Sequence, residues 1–382
     1  MNSDRKTASP TGDPWLLTPG PLTTSPTVKE AMLHDYGSRD SHFIEVNRRM
    51  RERLVGIVEG GEDFVAVPLQ GSGTFSVEAM LATFVPPDGR LLILVNGAYG
   101  QRMAKICRTA GNPFRMLEWP EDTPVDPAEL ERCLTEDGEI THVAVVHCET
   151  TSGVLNPIAE VAEVTRRLGR KLLIDSMSAF GALPISAREI PFDAVAASSN
   201  KCLEGVPGMG FVIARRSALE VCEGNCHSLS LDLHDQWVNM EKTKQWRFTP
   251  PTHCILAFDQ ALNEFEAEGG VAGRGGRYRS NCKILVDGMR ALGFETLLPD
   301  ELQAPIIVTF HMPADPGFDF QAFYDALRQH GYVIYPGKLT VADSFRMGCI
   351  GRLGEAEMRG ALAVVEKVLR EMGVSNCAPK AA

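Results

Sequence analysis

Up to about residue 251, short unbroken apolar runs alternate with amphipathic stretches along the chain. Runs with no polar face are typical of strands buried on both sides, and their alternation with helices favours a mostly parallel sheet covered by helices. The predicted strands are Phe64–Leu69, Leu91–Val95, His142–His147, Lys171–Ile174, Ala194–Ala197 and Gly210–Ala214. The predicted helices between them are Phe75–Phe84, Gln101–Ala110, Pro127–Leu134 and Ile158–Leu168.

The pattern changes after Pro251, where two long helical stretches lead into elements with more polar spacing. This mixture predicts a smaller α+β domain. Its predicted helices are Cys254–Glu268, Gly276–Leu292, Phe318–His330 and Glu355–Met372, and its predicted strands are Pro305–Phe310, Tyr332–Tyr335 and Ser344–Gly348. We therefore expect a disordered tail at 1–14, a large domain over residues 15–255, linker helices and a small domain over 256–374, and a tail at 375–382.

Composition narrows the function classes. The chain has 382 residues and a net charge of −11, which argues against a partner that is a nucleic acid or a membrane surface. It has no run of eighteen apolar residues that would span a bilayer, and its polar N-terminus lacks the apolar core of a signal peptide. Ten cysteines in such a chain favour free thiols and a cytoplasmic location. We expect no metal site, because the pair Cys222 and Cys226 has no second ligand pair nearby.

A lysine and an aspartate stand at the ends of two predicted strands. Asp175 follows the strand Lys171–Ile174, and Lys201 lies shortly after Ala194–Ala197. In parallel sheets, ligands bind at the carboxyl ends of the strands. A lysine forms a Schiff base with the aldehyde of pyridoxal 5′-phosphate, and a carboxylate keeps the pyridine nitrogen of that cofactor protonated. The pair therefore predicts a pyridoxal phosphate enzyme.

Three loops fit the same cofactor. Ser72, Gly73 and Thr74 follow a strand and open a helix, which predicts a phosphate site; the alternative is a capped glycine turn. Tyr99 follows the next strand between glycines and is predicted to stack on the pyridine ring, unless it only packs in the core. Thr150 lies in a hydroxyl-rich loop and is predicted to hydrogen-bond the phenolate oxygen of the cofactor; the alternative is a polar turn.

Together these motifs resemble the class V, fold-type I aminotransferases. Further blocks, Leu17–Thr24, Ser228–Leu233, Trp246–Thr249 and Tyr335–Lys338, are similar to a narrower family, the 2-aminoethylphosphonate–pyruvate aminotransferases. The resemblance runs from Trp15 to Met372. It implies a fold-type I architecture with a seven-stranded, mostly parallel sheet. The implied reaction transfers the amino group of 2-aminoethylphosphonate to pyruvate and gives phosphonoacetaldehyde and L-alanine.

The resemblance also implies roles for single residues. Lys201 would be the Schiff-base lysine and the proton-transferring base, with Asp175 on the pyridinium. A homodimer with shared active sites is implied, in which one subunit supplies cofactor contacts to the other. The remaining implied residues are Asn200, Thr249 and Thr252 for the cofactor, and Gly20, Arg39 and Arg346 for the substrate, with segment 15–45 contributing to the substrate site.

One segment departs from the family pattern. The stretch Asp35–Phe43 has Arg39 among positions that are commonly acidic in the family. Arg39 is therefore expected either to add positive charge for a phosphonate or to mark another amine donor, as in alanine– or serine–glyoxylate exchange. A pyridoxal phosphate lyase is the alternative from a different class.

Overall fold

The computed structural model describes residues 9–339 and 342–380. The strands are β1 Trp15–Leu16, β2 Phe64–Gln70, β3 Leu91–Val95, β4 Phe114–Glu118, β5 His142–Val146, β6 Cys148–Glu149, β7 Val154–Leu155, β8 Lys171–Asp175, β9 Ala194–Ser198, β10 Met209–Arg215, β11 Ile307–His311, β12 Tyr332–Val333, β13 Tyr335–Pro336 and β14 Ser344–Gly348. The helices are α1 Pro26–Glu30, α2 Ser41–Ile57, α3 Gly73–Phe84, α4 Ala98–Ala110, α5 Pro127–Glu136, α6 Ile158–Arg167, α7 Arg216–Glu220, α8 Leu233–Thr243, α9 Thr252–Ala267, α10 Gly270–Ala291, α11 Phe320–Gln329 and α12 Glu355–Met372. A short 3₁₀ helix lies at Gly61–Asp63.

The central sheet has seven strands in the order β2-β10-β9-β8-β5-β3-β4. Strand β10 runs antiparallel to both of its neighbours, and the other pairs are parallel. Helices cover both faces, and alternate residues of one strand belong to different cores. In β3, Leu92 and Leu94 pack in one cluster, and Ile93 packs in the other. This arrangement explains the unbroken apolar runs, because successive side chains in a strand point to opposite faces.

The predicted α/β architecture is confirmed, and the central sheet has one strand that the apolar pattern did not predict. The seventh strand, β4, was not predicted, because Phe114–Glu118 alternates half-buried and exposed residues at the edge of the sheet. The helices α1, α2, α7 and α8 were also missed. Two of them, α1 and α7, have only five residues each, which is too short to show a helical period.

The C-terminal part has its own sheet, in the order β11-β14-β13, and its own hydrophobic core. Phe294, Phe310 and Phe345 lie in this core, with the rings of Phe294 and Phe345 5.6 Å apart. The prediction of one strand over Tyr332–Tyr335 was wrong. The segment forms two strands, because Tyr332 pairs with β1 whereas Tyr335 pairs with β14.

The N-terminal segment forms a separate two-stranded sheet beside this one. Strand β1 pairs in parallel with β12, with Trp15 opposite Tyr332. The chain then passes Leu17, whose carbonyl accepts from Gly348 N at 2.9 Å, and reaches Gly20. The N-terminal residues are thereby held beside β14.

The structure describes only a part of each of the two predicted tails. Residues 1–8 and 381–382 lie outside the described part of the chain. Residues 9–14 form a turn in which Asp13 pairs with Lys29 at 2.6 Å. At the other end, Asp315 accepts hydrogen bonds from the backbone of Ser375 and Asn376, so this segment packs on the small domain.

Two further expectations concern the whole chain. The ten cysteines are all free thiols. Within residues 9–339 and 342–380, no helix is both long enough and apolar enough to cross a bilayer.

Candidate active site

Lys201 lies in a turn just beyond β9, at the carboxyl edge of the sheet. Its Nζ donates a hydrogen bond to the carbonyl of Pro19 at 2.5 Å. The pKa of this amine is lowered to about 8, mainly by burial and to a smaller extent by the charges of Arg102 and Arg346, whereas Cys202 and Asp175 oppose the shift. Asn200 is half-buried in the same turn. Lys201 is therefore an amine that loses its proton far more readily than a surface lysine.

Asp175 ends β8 and is also buried. Burial raises the pKa of its carboxyl to about 6, and the neighbouring carboxylate of Glu149 acts in the same direction. The backbone N–H of Met177, 2.9 Å from Oδ1, opposes this shift, as do the charges of Arg102 and Lys201. The side chain is thus an ionisable acid in a dry pocket, with cations close by.

The loop between β2 and α3 presents a free helix N-terminus. Ser72 is the N-cap residue of α3, and its hydroxyl makes no capping hydrogen bond. The first N–H groups of a helix have no partner within the helix, so this end can bind an anion. Gly73 packs closely against Met177, whose side chain would have to move if position 73 carried a Cβ. Thr74 accepts a hydrogen bond from Arg102 Nη1 at 3.3 Å.

Tyr99 stands at the N-terminus of α4 and carries two cations near its ring. The guanidinium carbon of Arg102 lies 4.7 Å from the ring centroid, and Nζ of Lys338 lies 4.5 Å from it. The faces of aromatic rings attract cations at such distances. The ring of Tyr99, between α3 and the small domain, therefore belongs to a cluster of charged side chains.

Glu149 is a buried carboxylate that organises this region. Its oxygens accept from the backbone N–H of Tyr99 at 3.1 Å and from the hydroxyl of Thr151 at 2.6 Å. The Thr151 hydroxyl in turn accepts from the backbone N–H of Ala98 at 2.9 Å. Burial raises the pKa of Glu149, although these hydrogen bonds oppose the shift. Glu149 and Thr151 together cap α4 from a loop about fifty residues away in sequence.

Arg346 reaches the cluster from the small domain. It lies on β14 and is 5% exposed. Its Nε donates to the carbonyl of Pro336 at 3.1 Å, and its Nη1 donates to the carbonyl of Thr150 at 2.7 Å. Burial lowers the pKa of Arg346, because the charged form loses its hydration. Thr150 is itself buried and contributes its backbone to the bond.

Gly20 packs directly against Lys201. Its φ is +114°, a backbone conformation that favours glycine, and a Cβ at this position would lie 2.6 Å from Nζ of Lys201. The N-terminal segment therefore forms one wall of the lysine pocket.

The structure brings most of the predicted residues together and leaves three outside. Arg39 is exposed in the turn before α2, and Thr249 is exposed before α9. Thr252 is the first residue of α9. We call the charged and aromatic side chains around the lysine the Lys201 cluster; its members are Lys201, Asp175, Tyr99, Arg102, Glu149, Lys338 and Arg346. Among the described residues, none of these three makes a hydrogen bond to the Lys201 cluster. Their segments adjoin each other, because His253 contacts Asp35 at 3.1 Å.

Three charged residues of the cluster were not predicted. Arg102 lies one helical turn after Tyr99, a spacing that places both on one face of α4. Glu149 precedes the predicted Thr150, and Lys338 ends the Tyr335–Lys338 block. The sequence motifs contained all three residues. Their charges gave no indication of their proximity, which depends on how α4 and the small domain are placed.

Comparison with known proteins identifies relatives over nearly the whole chain. A family model described as aminotransferase class-V matches residues 36–348. A 2-aminoethylphosphonate–pyruvate transaminase of Burkholderia lata is 58% identical over 369 residues, covering 97% of this chain and 98% of that protein. A 2-aminoethylphosphonate–pyruvate transaminase of Pseudomonas putida is 55% identical over 361 residues, covering 94% of this chain and 98% of that protein.

Solved structures share the fold. An alanine–glyoxylate aminotransferase from Nostoc sp. superimposes with a TM-score of 0.87 at 25% identity, covering 97% of this chain and 100% of that one. A pyridoxamine–pyruvate aminotransferase from Mesorhizobium loti gives a TM-score of 0.86 at 23% identity, covering 96% and 94%. The predicted fold-type I architecture is therefore confirmed.

Proposed function

The chain belongs to the class V aminotransferases, within them to the 2-aminoethylphosphonate–pyruvate transaminases, and on that premise we propose that it transfers the amino group of 2-aminoethylphosphonate to pyruvate. The products are phosphonoacetaldehyde and L-alanine. The observation that supports this most is one cluster holding a buried amine, Lys201, a buried acid, Asp175, and an anchored guanidinium, Arg346.

We infer that the cofactor is pyridoxal 5′-phosphate, because the residues present fit each of its parts. Lys201 offers an amine for the aldehyde, and Asp175 offers a carboxylate for the pyridine nitrogen. Ser72, Gly73 and Thr74 offer the uncapped N-terminus of α3 for the phosphate. When bound, this cofactor withdraws electrons from the substrate carbon that loses its proton.

Lys201 is suited to move that proton. A base must be neutral to accept one, and an ordinary lysine with a pKa of roughly 10.4 is almost wholly charged at pH 7. With a pKa of about 8, a useful fraction of Lys201 is neutral near physiological pH. The backbone of Pro19 and the glycine at position 20 hold the amine in place.

Arg346 is suited to bind the acid group of each substrate. A guanidinium offers paired donors that match a carboxylate or a phosphonate. Two backbone carbonyls fix its orientation, so little side-chain freedom is lost when a substrate binds.

We further propose a homodimer with shared active sites. Thr249 is exposed, Thr252 begins α9, and neither reaches the Lys201 cluster of its own chain. Exposed hydrophobic side chains, Leu33, Phe75 and Leu229, are what a subunit interface would cover. Arg39 lies beside the same segments and is proposed to act across that interface.

A panel of amino donors with pyruvate as acceptor tests the proposed reaction. Purified protein supplied with pyridoxal phosphate is expected to form L-alanine from 2-aminoethylphosphonate much faster than from serine or other amines. Lys201→Ala is expected to abolish this exchange. Preferred use of another donor would contradict the substrate assignment, and continued turnover without any acceptor, beyond a single half-reaction per site, would indicate a lyase. Sedimentation of the same sample tests the dimer.

A further inference from the structure

Lys338 belongs to the Lys201 cluster, but it has no role in the reaction proposed above. It follows β13 in the connection to β14, the strand that carries Arg346. Its Nζ lies 4.5 Å from the ring centroid of Tyr99. Burial lowers the pKa of Lys338, and the charges of Arg102 and Arg346 act in the same direction, whereas the carboxylate of Glu149 opposes the shift. A half-buried lysine among like charges is costly unless an anion joins it.

The cluster carries more positive than negative charge. Its basic side chains are Lys201, Arg102, Lys338 and Arg346, and its carboxylates are Asp175 and Glu149. Arg102 donates a hydrogen bond to Thr74 at the N-terminus of α3, so Arg102 lies on the side of the site where the cofactor phosphate is proposed to bind. Lys338 is the cation that shares the hairpin of Arg346, on the substrate side.

The two substrates differ in the charge of the acid group that Arg346 is proposed to bind. Pyruvate presents a carboxylate with one negative charge, which a single guanidinium matches. A phosphonate whose second proton has left presents two negative charges and three oxygens. One arginine leaves part of that charge unpaired in a dry site, which is unfavourable.

We propose that Lys338 is the specificity-determining residue for the phosphonate: it pairs with the second negative charge of that group and is dispensable for a carboxylate. This inference rests on the proposed function. It places phosphonate recognition within one chain, beside Arg346. A lysine ammonium suits the task, because it is a compact point charge that need not match a planar group.

The test compares phosphonate and carboxylate ligands in Lys338→Met and Lys338→Arg. We expect Lys338→Met to raise KM for 2-aminoethylphosphonate by roughly 10- to 100-fold, the loss expected for one hydrogen bond to a charged group. KM for pyruvate and for L-alanine should change less than about threefold, within the scatter of surface substitutions. Lys338→Arg should retain most of the phosphonate affinity, and Lys283→Met, which removes an exposed lysine paired with Asp287, should change neither substrate.

Inhibition by methylphosphonate and by acetate gives a second readout that folding defects do not imitate. In the wild type, methylphosphonate should bind more tightly as pH rises through its second ionisation, and Lys338→Met should lose that dependence. Equal losses for phosphonate and carboxylate ligands, or no loss at all, would overturn the assignment of Lys338. If the wild type itself fails to use 2-aminoethylphosphonate, the proposed function fails instead, so the two failures are distinguishable.

Discussion

At the scale of single residues, the carboxylate of Asp175 destabilises the folded chain. Burial raises its pKa to about 6, whereas an Asp in an unfolded chain titrates near 3.9. The folded state therefore holds this proton more tightly than the unfolded state. Its contribution to stability falls as pH rises from about 4 to about 6 and stays low above that range. A difference of about two units corresponds to about 3 kcal/mol.

Asp175→Asn is expected to stabilise the cofactor-free protein at pH 7 by up to about 3 kcal/mol, because an amide carries no charge and still accepts the Met177 N–H. Urea unfolding at pH 4 and pH 7 measures the effect, and the variant should lack the Asp175 contribution to the pH slope. Asp122→Asn on the surface is the control and should leave the slope unchanged. A less stable variant at pH 7 would argue against a charged, buried Asp175. Transaminase activity should nevertheless be lost, since the pyridine nitrogen of the cofactor loses the carboxylate that keeps it protonated.

Gly20 offers a sharp test of the lysine pocket. Gly20 and Gly12 both have positive φ, of +114° and +80°, so alanine strains the backbone at either position by about 1 kcal/mol. Only at position 20 would the new Cβ meet Lys201, whereas position 12 has nothing within 4 Å. Gly20→Ala is expected to lower covalent capture of the cofactor by Lys201 by at least about tenfold, and Gly12→Ala to leave it nearly unchanged. Borohydride reduction followed by peptide mass measurement reports the captured fraction. Equal capture in both variants would contradict the contact.

At the scale of elements, the interior strands were predictable, because burial on both faces leaves an unbroken apolar run. The strand Leu91–Val95 has the predicted bounds, and so does the helix Glu355–Met372. The start of α4 was not predictable. The sequence pattern placed it at Gln101, but it begins at Ala98, because Glu149 and Thr151 bind its N-terminal N–H groups from a distant loop.

The candidate site was predictable to a similar extent. Local sequence motifs predict Lys201, Asp175 and the loop at Ser72. They do not predict which charged residues surround this site, because Lys338 reaches Tyr99 only through the packing of a hairpin against another domain. The role expected for Thr249 depends on a second copy of the chain, so no local pattern predicts its geometry.

Glu149→Ala tests the long-range cap of α4. Removing the carboxylate leaves the buried N–H of Thr151 and the partly buried N–H of Tyr99 without their acceptor, and each such loss costs about 1–3 kcal/mol. We expect a total destabilisation of about 2–4 kcal/mol in urea unfolding, since the cost of burying the charge is regained in part. Glu118→Ala removes an exposed partner of Gln101 and should change stability by less than about 0.5 kcal/mol. Similar effects of both variants would indicate that α4 does not depend on Glu149.

At the scale of the whole molecule, buried charges link the Lys201 turn to the small domain. Glu204, in that turn, accepts from Tyr278 at 2.6 Å and from Arg277 Nη2 at 2.7 Å, both on α10. Arg277 Nη1 also donates to the carbonyls of Gly351 and Leu353, at 2.5 and 2.8 Å, just beyond β14. The turn that holds the catalytic amine is thereby tied to the strand that holds Arg346.

Arg277→Met is expected to destabilise the protein by about 2–4 kcal/mol, because the buried Glu204 carboxylate keeps only Arg274, 3.6 Å away, as a charged partner, and the carbonyls of Gly351 and Leu353 lose their donor. Adding Glu204→Gln should restore part of this loss, and chemical unfolding of the single and double variants measures the coupling. The control is Arg290→Met, which breaks an exposed pair with Asp300 and should cost no more than about 1 kcal/mol. Strictly additive effects of Arg277→Met and Glu204→Gln would show that the pair is not coupled.

The pairing of β1 with β12 sets an order of events during synthesis. The chain leaves the ribosome from its N-terminus at roughly 5–20 residues per second. Trp15 and Leu16 therefore emerge more than 300 residues before their partners, Tyr332 and Val333. The strand that steadies Gly20 against Lys201 has no partner until that later segment has been made. A nascent chain that stops before Tyr332 thus carries Lys201 without the wall that holds it.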